Sequence, residues 1–375
     1  MPEVREVPEP AVADGSVVLR VEATGLCRSD WHGWMGHDSD IVLPHVPGHE
    51  FAGTIAAVGA GVSGWAVGDR VTSPFICACG TCEQCLAGDQ QVCPNQLQPG
   101  FNYWGSFAEY VAVPYAEVNL VRLPDDMDFA TAAGLGCRFA TSFRAVHQVG
   151  QVVAGERVAV FGCGGVGLSA VMIAAALGAE VIAIDTNPDA LTLAHTYGAA
   201  HTIQATAPRA QPAAPGAQPD APGAQPDAPG AQPDASGAQP AAPGAQPAAV
   251  VAQPDAVVAQ LRKLGPPDVT IDALGSSDVV QQALRALRPR GRHVQVGLLP
   301  GGVQLDVGRL IGQELSWLGS HGMPAHAYPE MLELVATGNL NPTQLVTRTI
   351  TLDETPAALA ALSNGTPAGV TIITP

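Results

Sequence analysis

The sequence predicts an α/β protein in which a β-rich region precedes a doubly wound parallel sheet. Two observations lead to this prediction. Between residues 15 and 125, short apolar runs are separated by glycine, proline and aspartate, a pattern typical of β structure. From about Phe139 onward, strand patterns alternate with helical ones, which indicates a parallel sheet with helices on its faces.

The individual elements follow from these patterns. In the β-rich region, the strand candidates are Val17–Val21, Phe51–Val58 and Tyr110–Val113. The alternating segments of the second region are Arg157–Phe161, the helical run Val166–Leu177, Val181–Ile184, Val269–Ile271, Val279–Leu287 and His293–Val296. Asn187 and Pro188 form the N-cap and first position of a further helix, and Gly198 suits its end.

Length and charge restrict the function. The chain of 375 residues can form two domains, and its formal net charge of −17 argues against a nucleic-acid partner. No apolar run approaches the roughly 20 residues of a membrane span, and the acidic, proline-containing N-terminus is unlike a secretory signal. We therefore expect a cytoplasmic protein that binds no membrane and keeps its eight cysteines reduced.

A repeat interrupts the second region between residues 207 and about 256. Ala-Gln-Pro recurs there every seven residues, and the remaining positions are mostly Asp, Ala, Pro and Gly. A proline in every repeat and the absence of an apolar pair exclude a coiled coil. We expect a disordered insertion in a surface loop, with a proline-rich tract that binds a partner as the alternative.

Four clustered cysteines predict a metal site. Cys79, Cys82, Cys85 and Cys93 follow the spacing C-x2-C-x2-C-x7-C, and four thiolates in one short loop can surround a tetrahedral zinc ion. All four positions of the metal would be filled, so this zinc would be structural. Unrelated buried thiols are one alternative, and an iron–sulfur cluster is another, although the spacing differs from the common ferredoxin patterns.

A second set of candidate ligands is spread along the chain. Cys27 lies five residues before His32, His49 precedes Glu50, and Cys137 lies much further on. A single cysteine or histidine is more often a core or surface residue than a metal ligand. The prediction of a metal site therefore depends on all of these residues, and the other motifs, occurring in one chain. Two thiolates and one imidazole leave a fourth position open on zinc, which is typical of a catalytic site.

A glycine-rich turn predicts a dinucleotide site. Residues 162–167 match G-x-G-x-x-G between a strand and a helix, so backbone N–H groups could hold a pyrophosphate. Asp185 ends the next strand, where a carboxylate accepts from ribose hydroxyls and repels a 2′-phosphate, which favours NAD over NADP. The alternative is an ordinary turn beside a strand-end aspartate. The candidate cofactor-binding residues are Gly162, Gly164, Gly165, Val166, Gly167 and Asp185.

These motifs together resemble the zinc-dependent medium-chain alcohol dehydrogenase family. Residues 25–30, 47–50, 79–93, 136–139 and 162–167 occur in the order typical of that family. The resemblance implies a GroES-like catalytic domain built from residues 1–138 and 320–375. It also implies a Rossmann NAD-binding domain at 139–319, which would contain the insert, and a homodimer or homotetramer.

The resemblance also implies roles for individual residues. Cys27, His49 and Cys137 would bind the catalytic zinc, Glu50 would be an alternative ligand, and Asp30 would orient the His49 ring.

Three further roles are implied next to Cys27. Arg28 would contact the cofactor pyrophosphate, Ser29 would take the substrate hydroxyl proton, and His32 would pass that proton to solvent.

The expected function is therefore the reversible oxidation of an alcohol to an aldehyde or ketone, with two zinc ions per subunit and hydride transfer to NAD. One alternative is a related zinc enzyme that acts on a polyol, an amino-alcohol or an aldehyde adduct. The alternative from a different class is a non-catalytic relative that binds zinc and a nucleotide.

Overall fold

The structure is a computed structural model that describes residues 2–206, 256–299 and 302–375. Apart from residue 256, the predicted repeat insertion lies outside the described residues.

The described chain is divided between strands and helices in the order that the alternation predicts. The strands are β1 (Val17–Leu26), β2 (Phe51–Val58), β3 (Arg70–Thr72), β4 (Tyr110–Val113), β5 (Val121–Arg122), β6 (Arg157–Phe161), β7 (Glu180–Asp185), β8 (His201–Gln204), β9 (Val269–Asp272), β10 (Arg292–Gln295), β11 (Ser316–Gly319), β12 (Val346–Thr351) and β13 (Val370–Thr374). The α-helices are α1 (Arg28–Trp34), α2 (Glu83–Leu86), α3 (Ala116–Asn119), α4 (Phe129–Gly134), α5 (Ala140–Phe143), α6 (Gly165–Ala176), α7 (Pro188–Thr196), α8 (Ala256–Leu264), α9 (Ser277–Ala286), α10 (Val307–Gly312), α11 (Tyr328–Ala336) and α12 (Thr355–Ala361).

Shorter helical segments complete the description. Two π-helical turns, Leu135–Phe139 and Arg144–Val149, flank α5 and join it to α4 in one nearly continuous helical run. The 3₁₀ turns are Gln90–Val92, Ala325–Ala327, Pro342–Leu345 and Leu362–Asn364.

The first sheet has seven strands and contains both ends of the chain. Its order is β12-β13-β1-β2-β3-β5, and β4 also pairs with β1. All its pairs are antiparallel except β12 with β13, which run parallel. Long β1 pairs with three other strands, so its carboxyl end at Leu26 lies inside the sheet and delivers Cys27 to the site.

The second sheet has six parallel strands in the order β11-β10-β9-β6-β7-β8. Counted from β6 along the chain, this is the 3-2-1-4-5-6 order of doubly wound dinucleotide-binding folds. The strand order reverses beside β6, so a crevice opens at its carboxyl end, where residue 162 begins the glycine-rich turn. The predicted α/β fold class is confirmed.

One hydrophobic cluster connects the two sheets. Phe139 and Phe143 are fully buried in it, together with Ala52 of the first sheet and Val158 of the second. The helical run at 129–149 therefore lies between the sheets and carries Cys137 in its first π-helical turn. Strands of the first sheet lie within 17–122 and 346–374, and those of the second within 157–319. The domain boundaries at 138 and 320 stay a prediction.

In the part of the chain that the structure describes, no helix is long and apolar enough to cross a membrane.

Candidate active site and metal centres

The structure brings the scattered candidate ligands together. One ligand atom each from Cys27, His49, Glu50 and Cys137 lies within 4.8 Å of the others. Cys27 is the N-cap residue of α1, His49 and Glu50 lie just before β2, and Cys137 lies in a π-helical turn. Three separate chain segments thus meet at one point.

A buried carboxylate joins two of these segments. Asp30 Oδ2 accepts a hydrogen bond from the backbone N–H of Cys27 at 2.8 Å. Its Oδ1 accepts from the Gly48 N–H at 3.1 Å and lies 3.0 Å from Nδ1 of His49. Because Nδ1 is held by Asp30, the other ring nitrogen of His49 is free to bind a metal.

The unpaired atom of His49 fits a metal ion at this point. Its Nε2 is buried and has no hydrogen-bond partner, which is unusual for a buried polar atom. The neighbouring groups are the thiols of Cys27 and Cys137 and the carboxylate of Glu50. Thiolates, carboxylates and imidazoles are the groups that bind zinc in proteins. A hydrogen bond from the Cys137 thiol lowers the pKa of Cys27 against the effect of burial, a shift in the direction of the thiolate form that binds metals.

The carboxylate of Glu50 is bound by Arg138. The Arg138 backbone N and Nε each lie 2.9 Å from Oε1 of Glu50, and Nη2 pairs with Oε2. The side chain of Glu50 is fully buried and that of Arg138 is 8% exposed, so water cannot replace either partner. Burial raises the pKa of Glu50, and the Arg138 guanidinium opposes that rise.

The four clustered cysteines form a second group of ligand atoms. Cys79 Sγ lies 4.0 Å from that of Cys85 and 3.6 Å from that of Cys93, and the Cys82–Cys93 distance is 3.7 Å. Zinc–sulfur bonds of about 2.3 Å in a tetrahedron separate the sulfurs by about 3.8 Å, so the group has the size of a zinc site. Hydrogen bonds from the backbone and hydroxyl of Thr81 lower the pKa of Cys79 to about 5.

The cysteine loop contacts the segment that follows β11. His321 Nδ1 lies 3.0 Å from the Gln91 carbonyl, and His326 Nδ1 lies 3.1 Å from the Gln90 side-chain oxygen. His321 also packs edge-on against Phe75, with ring centroids 5.5 Å apart. The loop thereby holds residues next to His49, because Phe75 packs against that ring at 6.2 Å.

The glycine-rich turn connects β6 to α6 as predicted from its spacing. Gly162 has a φ of +88°, a conformation that glycine adopts readily. Gly164 is the N-cap residue of α6 and has no side-chain cap, so the first N–H groups of the helix are not satisfied by a cap. A Cβ on Gly167 would overlap the Gly162 carbonyl oxygen, so only glycine permits this close approach.

Asp185 lies at the end of β7 and contacts this turn. Its Oδ2 accepts from the Cys163 N–H at 2.5 Å and its Oδ1 from the Asn187 N–H at 2.8 Å. Each carboxylate oxygen has further acceptor capacity, so hydroxyl donors can still bind. Val166 belongs to the first turn of α6, beside Gly165.

Two candidate relay residues lie in α1, close in the chain to Cys27 of the metal group, the cluster formed by Cys27, His49, Glu50 and Cys137. Ser29 Oγ lies 3.6 Å from Cys27 Sγ. His32 contacts His37, with their Nδ1 atoms 2.9 Å apart, and both rings pack against Trp31.

Arg28 contacts the C-terminal part of the chain. Its guanidinium donates to the Leu362 carbonyl and lies 3.8 Å from the Trp31 ring centroid. The sequence-based role of Arg28 at the pyrophosphate stays a prediction.

Sequence reasoning missed several residues of the site. Arg138 directly follows Cys137, and His37 contacts the proposed relay histidine. Phe101 packs against His49 with ring centroids 5.1 Å apart. Position next to a candidate ligand is the only signal in the sequence for Arg138, and none exists for Phe101.

Comparison with known proteins identifies the class. Residues 13–125 match the family model described as alcohol dehydrogenase GroES-like domain, and residues 165–218 and 244–337 match that described as zinc-binding dehydrogenase. The chain belongs to the zinc-dependent medium-chain alcohol dehydrogenase family. The two groups of ligand atoms fit one catalytic and one structural zinc ion of that family.

Individual relatives support the same class. An alcohol dehydrogenase of Geobacillus stearothermophilus is 39% identical over 200 residues, which are 52% of this chain and 58% of the relative. An L-threonine 3-dehydrogenase of Rhizobium rhizogenes is 38% identical over 208 residues, 54% of this chain and 59% of the relative. The chain thus matches less than two thirds of the length of these curated relatives.

A solved structure extends the likeness to the whole fold. The alcohol dehydrogenase TADH from Thermus sp. ATN1 has a TM-score of 0.80 and is 28% identical, over 99% of this chain and 96% of that one.

We predict that Cys82→Ser removes one of the two zinc ions and leaves the other in place, because Cys82 belongs to only one group of ligand atoms. Metal analysis by atomic emission should show this loss. The thermal midpoint should fall as well, because the binding free energy of a structural zinc ion contributes to the free energy of folding.

The matched control is Cys77→Ser, a buried cysteine that hydrogen-bonds with Ser73 and Tyr103 and belongs to neither group. It should retain both zinc ions. Equal metal loss in both variants, or no loss in Cys82→Ser, would contradict the assignment.

Proposed function

We propose that this protein is an NAD-dependent alcohol dehydrogenase that oxidises an alcohol to an aldehyde or ketone in a reversible reaction. The observation that carries the proposal is the unpaired buried Nε2 of His49 between two thiols. The family to which the chain belongs and the uncapped glycine-rich turn support it. We further propose that it forms a homodimer or homotetramer, as the family resemblance implies.

The ligand set supplies the polarising chemistry. Cys27, His49 and Cys137 would hold the zinc, which when bound lowers the pKa of a hydroxyl in its open position. Asp30 fixes the tautomer of His49 through Nδ1, and its contact with the Cys27 N–H keeps the thiol at a fixed distance from that ring. These residues orient the site before a substrate enters it.

Proton removal falls to residues on α1. Ser29 Oγ lies at the edge of the metal group and would accept the substrate hydroxyl proton. His32 lies further out with a partly exposed ring, and would pass the proton from the cofactor ribose to solvent. Its neutral form is the one that accepts a proton.

Aromatic rings favour an apolar alcohol. Phe75 and Phe101 both pack against His49, so the walls nearest the metal group are apolar. An amino-alcohol is the second candidate, since several relatives are named L-threonine 3-dehydrogenase. A zwitterion beside Phe75 and Phe101 would lose hydration, and neither ring could form an ion pair with it, which favours the apolar alcohol.

Initial rates of NAD reduction test the proposal. The panel should contain primary, secondary, aromatic and polyhydric alcohols together with L-threonine. We expect the highest kcat/KM for an apolar alcohol and roughly a 100-fold or greater loss in Cys27→Ser, because losing a metal ligand removes the metal's contribution of several kcal/mol to the rate. No turnover of any compound by folded, zinc-loaded protein would refute the proposal and favour a non-catalytic relative.

We predict that Asp185→Asn lowers the preference for NAD over NADP by roughly 10- to 100-fold, measured as the ratio of kcat/KM for the two cofactors. The amide keeps an acceptor for the ribose but loses the charge that repels a 2′-phosphate, and hydrogen bonds to charged groups are worth about 1.5–3 kcal/mol. Asp189→Asn, an exposed acid in the first turn of α7, is the control. An equal change in both variants would remove Asp185 from cofactor selection.

We predict that His32→Ala slows alcohol oxidation by about 10- to 100-fold near pH 6.5, with the difference vanishing at high pH as hydroxide replaces the base. Partial burial and the nearby charges of Arg28 and His37 lower the pKa of His32, against the opposing charge of Cys27. A lowered pKa keeps the ring neutral through pH 7, so the acidic limb of kcat should lie below about 6.5.

His37→Ala provides a second test of the same assignment. Removing a charge that lowers the pKa of His32 should raise that pKa and shift the acidic limb upward. If the His32→Ala and unsubstituted pH profiles coincide, His32 is not part of the relay.

A further inference from the structure

Arg138 holds a carboxylate that could otherwise bind the metal. Glu50 lies within 4.8 Å of the other ligand atoms, and carboxylate oxygens are zinc ligands. Both of its oxygens are nevertheless bound by Arg138, through the backbone N, Nε and Nη2. A metal ion held by Cys27, His49 and Cys137 would therefore compete with the Arg138 guanidinium for this carboxylate.

Glycines leave the space that this pair occupies. A Cβ on Gly25 would lie 2.8 Å from Nη2 of Arg138 and overlap the Glu50 carboxylate. A Cβ on Gly136 would lie 3.2 Å from the Glu50 Cα, and one on Gly165 would overlap Cδ of Arg138. The pair is thus enclosed by backbone on three sides, and its geometry is fixed by packing as well as by charge.

We propose that Arg138 is a positioning residue that holds the Glu50 carboxylate away from the metal and keeps the fourth position open for a substrate oxygen. The inference rests on the proposed function only in placing zinc at Cys27, His49 and Cys137. Without the guanidinium, Glu50 would be a buried anion whose nearest cation is the metal. The carboxylate would then turn to the metal and occupy the open position.

The experiment measures access to the open position without any turnover. The zinc is exchanged for cobalt, and imidazole is titrated against the visible spectrum of the protein in the absence of nucleotide. The cysteine-only site has no open position, so the change caused by imidazole reports on the other metal alone. We expect Arg138→Met to weaken imidazole binding by roughly 10- to 100-fold, because imidazole must then displace the Glu50 carboxylate from the metal; the size is that of other changes next to a metal site.

Three further variants separate this role from a general effect on folding. Glu50→Gln should bind imidazole at least as tightly as the unsubstituted protein, because a neutral amide competes poorly for the metal. Arg138→Met with Glu50→Gln should regain that affinity, and Arg138→Lys should retain part of it by keeping a cation beside Glu50. Arg144→Met, on the same helical run but hydrogen-bonded to Ser320, is the matched control and should change nothing.

The outcomes are distinct. Tight imidazole binding by Arg138→Met, or weak binding that the Glu50→Gln change does not restore, would overturn the inference. A tenfold loss in Glu50→Gln alone would also overturn it, whether or not Arg138→Met folds, and so would an unsubstituted cobalt protein that does not bind imidazole. If the imidazole pattern holds while no alcohol is oxidised, the proposed function fails and the role of Arg138 stands.

Discussion

Asp30 is the point at which the segments that carry Cys27 and His49 are joined. It is 2% exposed, and three N–H groups from two segments converge on its two oxygens. Hydrogen bonds to an ionised acceptor are roughly twice as strong as neutral ones, and here water cannot compete. The thiol and the imidazole are therefore fixed relative to one another by protein groups alone, and a metal would bind to a site already formed.

The third candidate ligand, Cys137, is placed next to Cys27 and His49 by a π-helical turn. Cys137 lies in a π-helical turn between α4 and α5, and π-helical turns admit an extra residue and occur often at functional sites. In this turn, Cys137 contributes to the metal group while Arg138 binds Glu50. The buried run at 129–149 can hold these polar groups only because each finds a partner, since a buried unpaired charge would cost several kcal/mol.

The sequence predicted the fold better than the site. Alternation of strands and helices after Phe139 identified the parallel sheet, because period and turn residues are local properties of the chain. The strand order and the family comparison confirm that class. The cysteine loop was also a local pattern, with four ligands inside fifteen residues. The roles of Ser29, His32 and Arg28 depend on bound molecules and stay predictions.

Arg138 shows why the rest could not be predicted. Sixteen arginines against one lysine indicate a compositional bias, and apart from Arg28, whose role the family resemblance implies, no arginine was assigned a role from the sequence. What distinguishes Arg138 is burial against Glu50, and that burial arises from packing the 129–149 run between two sheets. Such packing depends on contacts between residues 88 positions apart, which neither periodicity nor spacing reveals.

The same packing connects the metal group to the glycine-rich turn. Arg138 lies against Gly165, the first residue of α6, at a distance that permits no Cβ there. Nearby, the Ser142 hydroxyl lies 2.8 Å from the Arg138 carbonyl oxygen and 2.7 Å from that of Val166. It can donate a hydrogen bond to either carbonyl, so it bridges the 129–149 run and α6. Gly165 is thus constrained by the arginine side chain that packs against it. The glycine-rich turn and the Glu50 carboxylate therefore lie against the same side chain, that of Arg138, which connects the packing of the turn to that of the metal-ligand cluster.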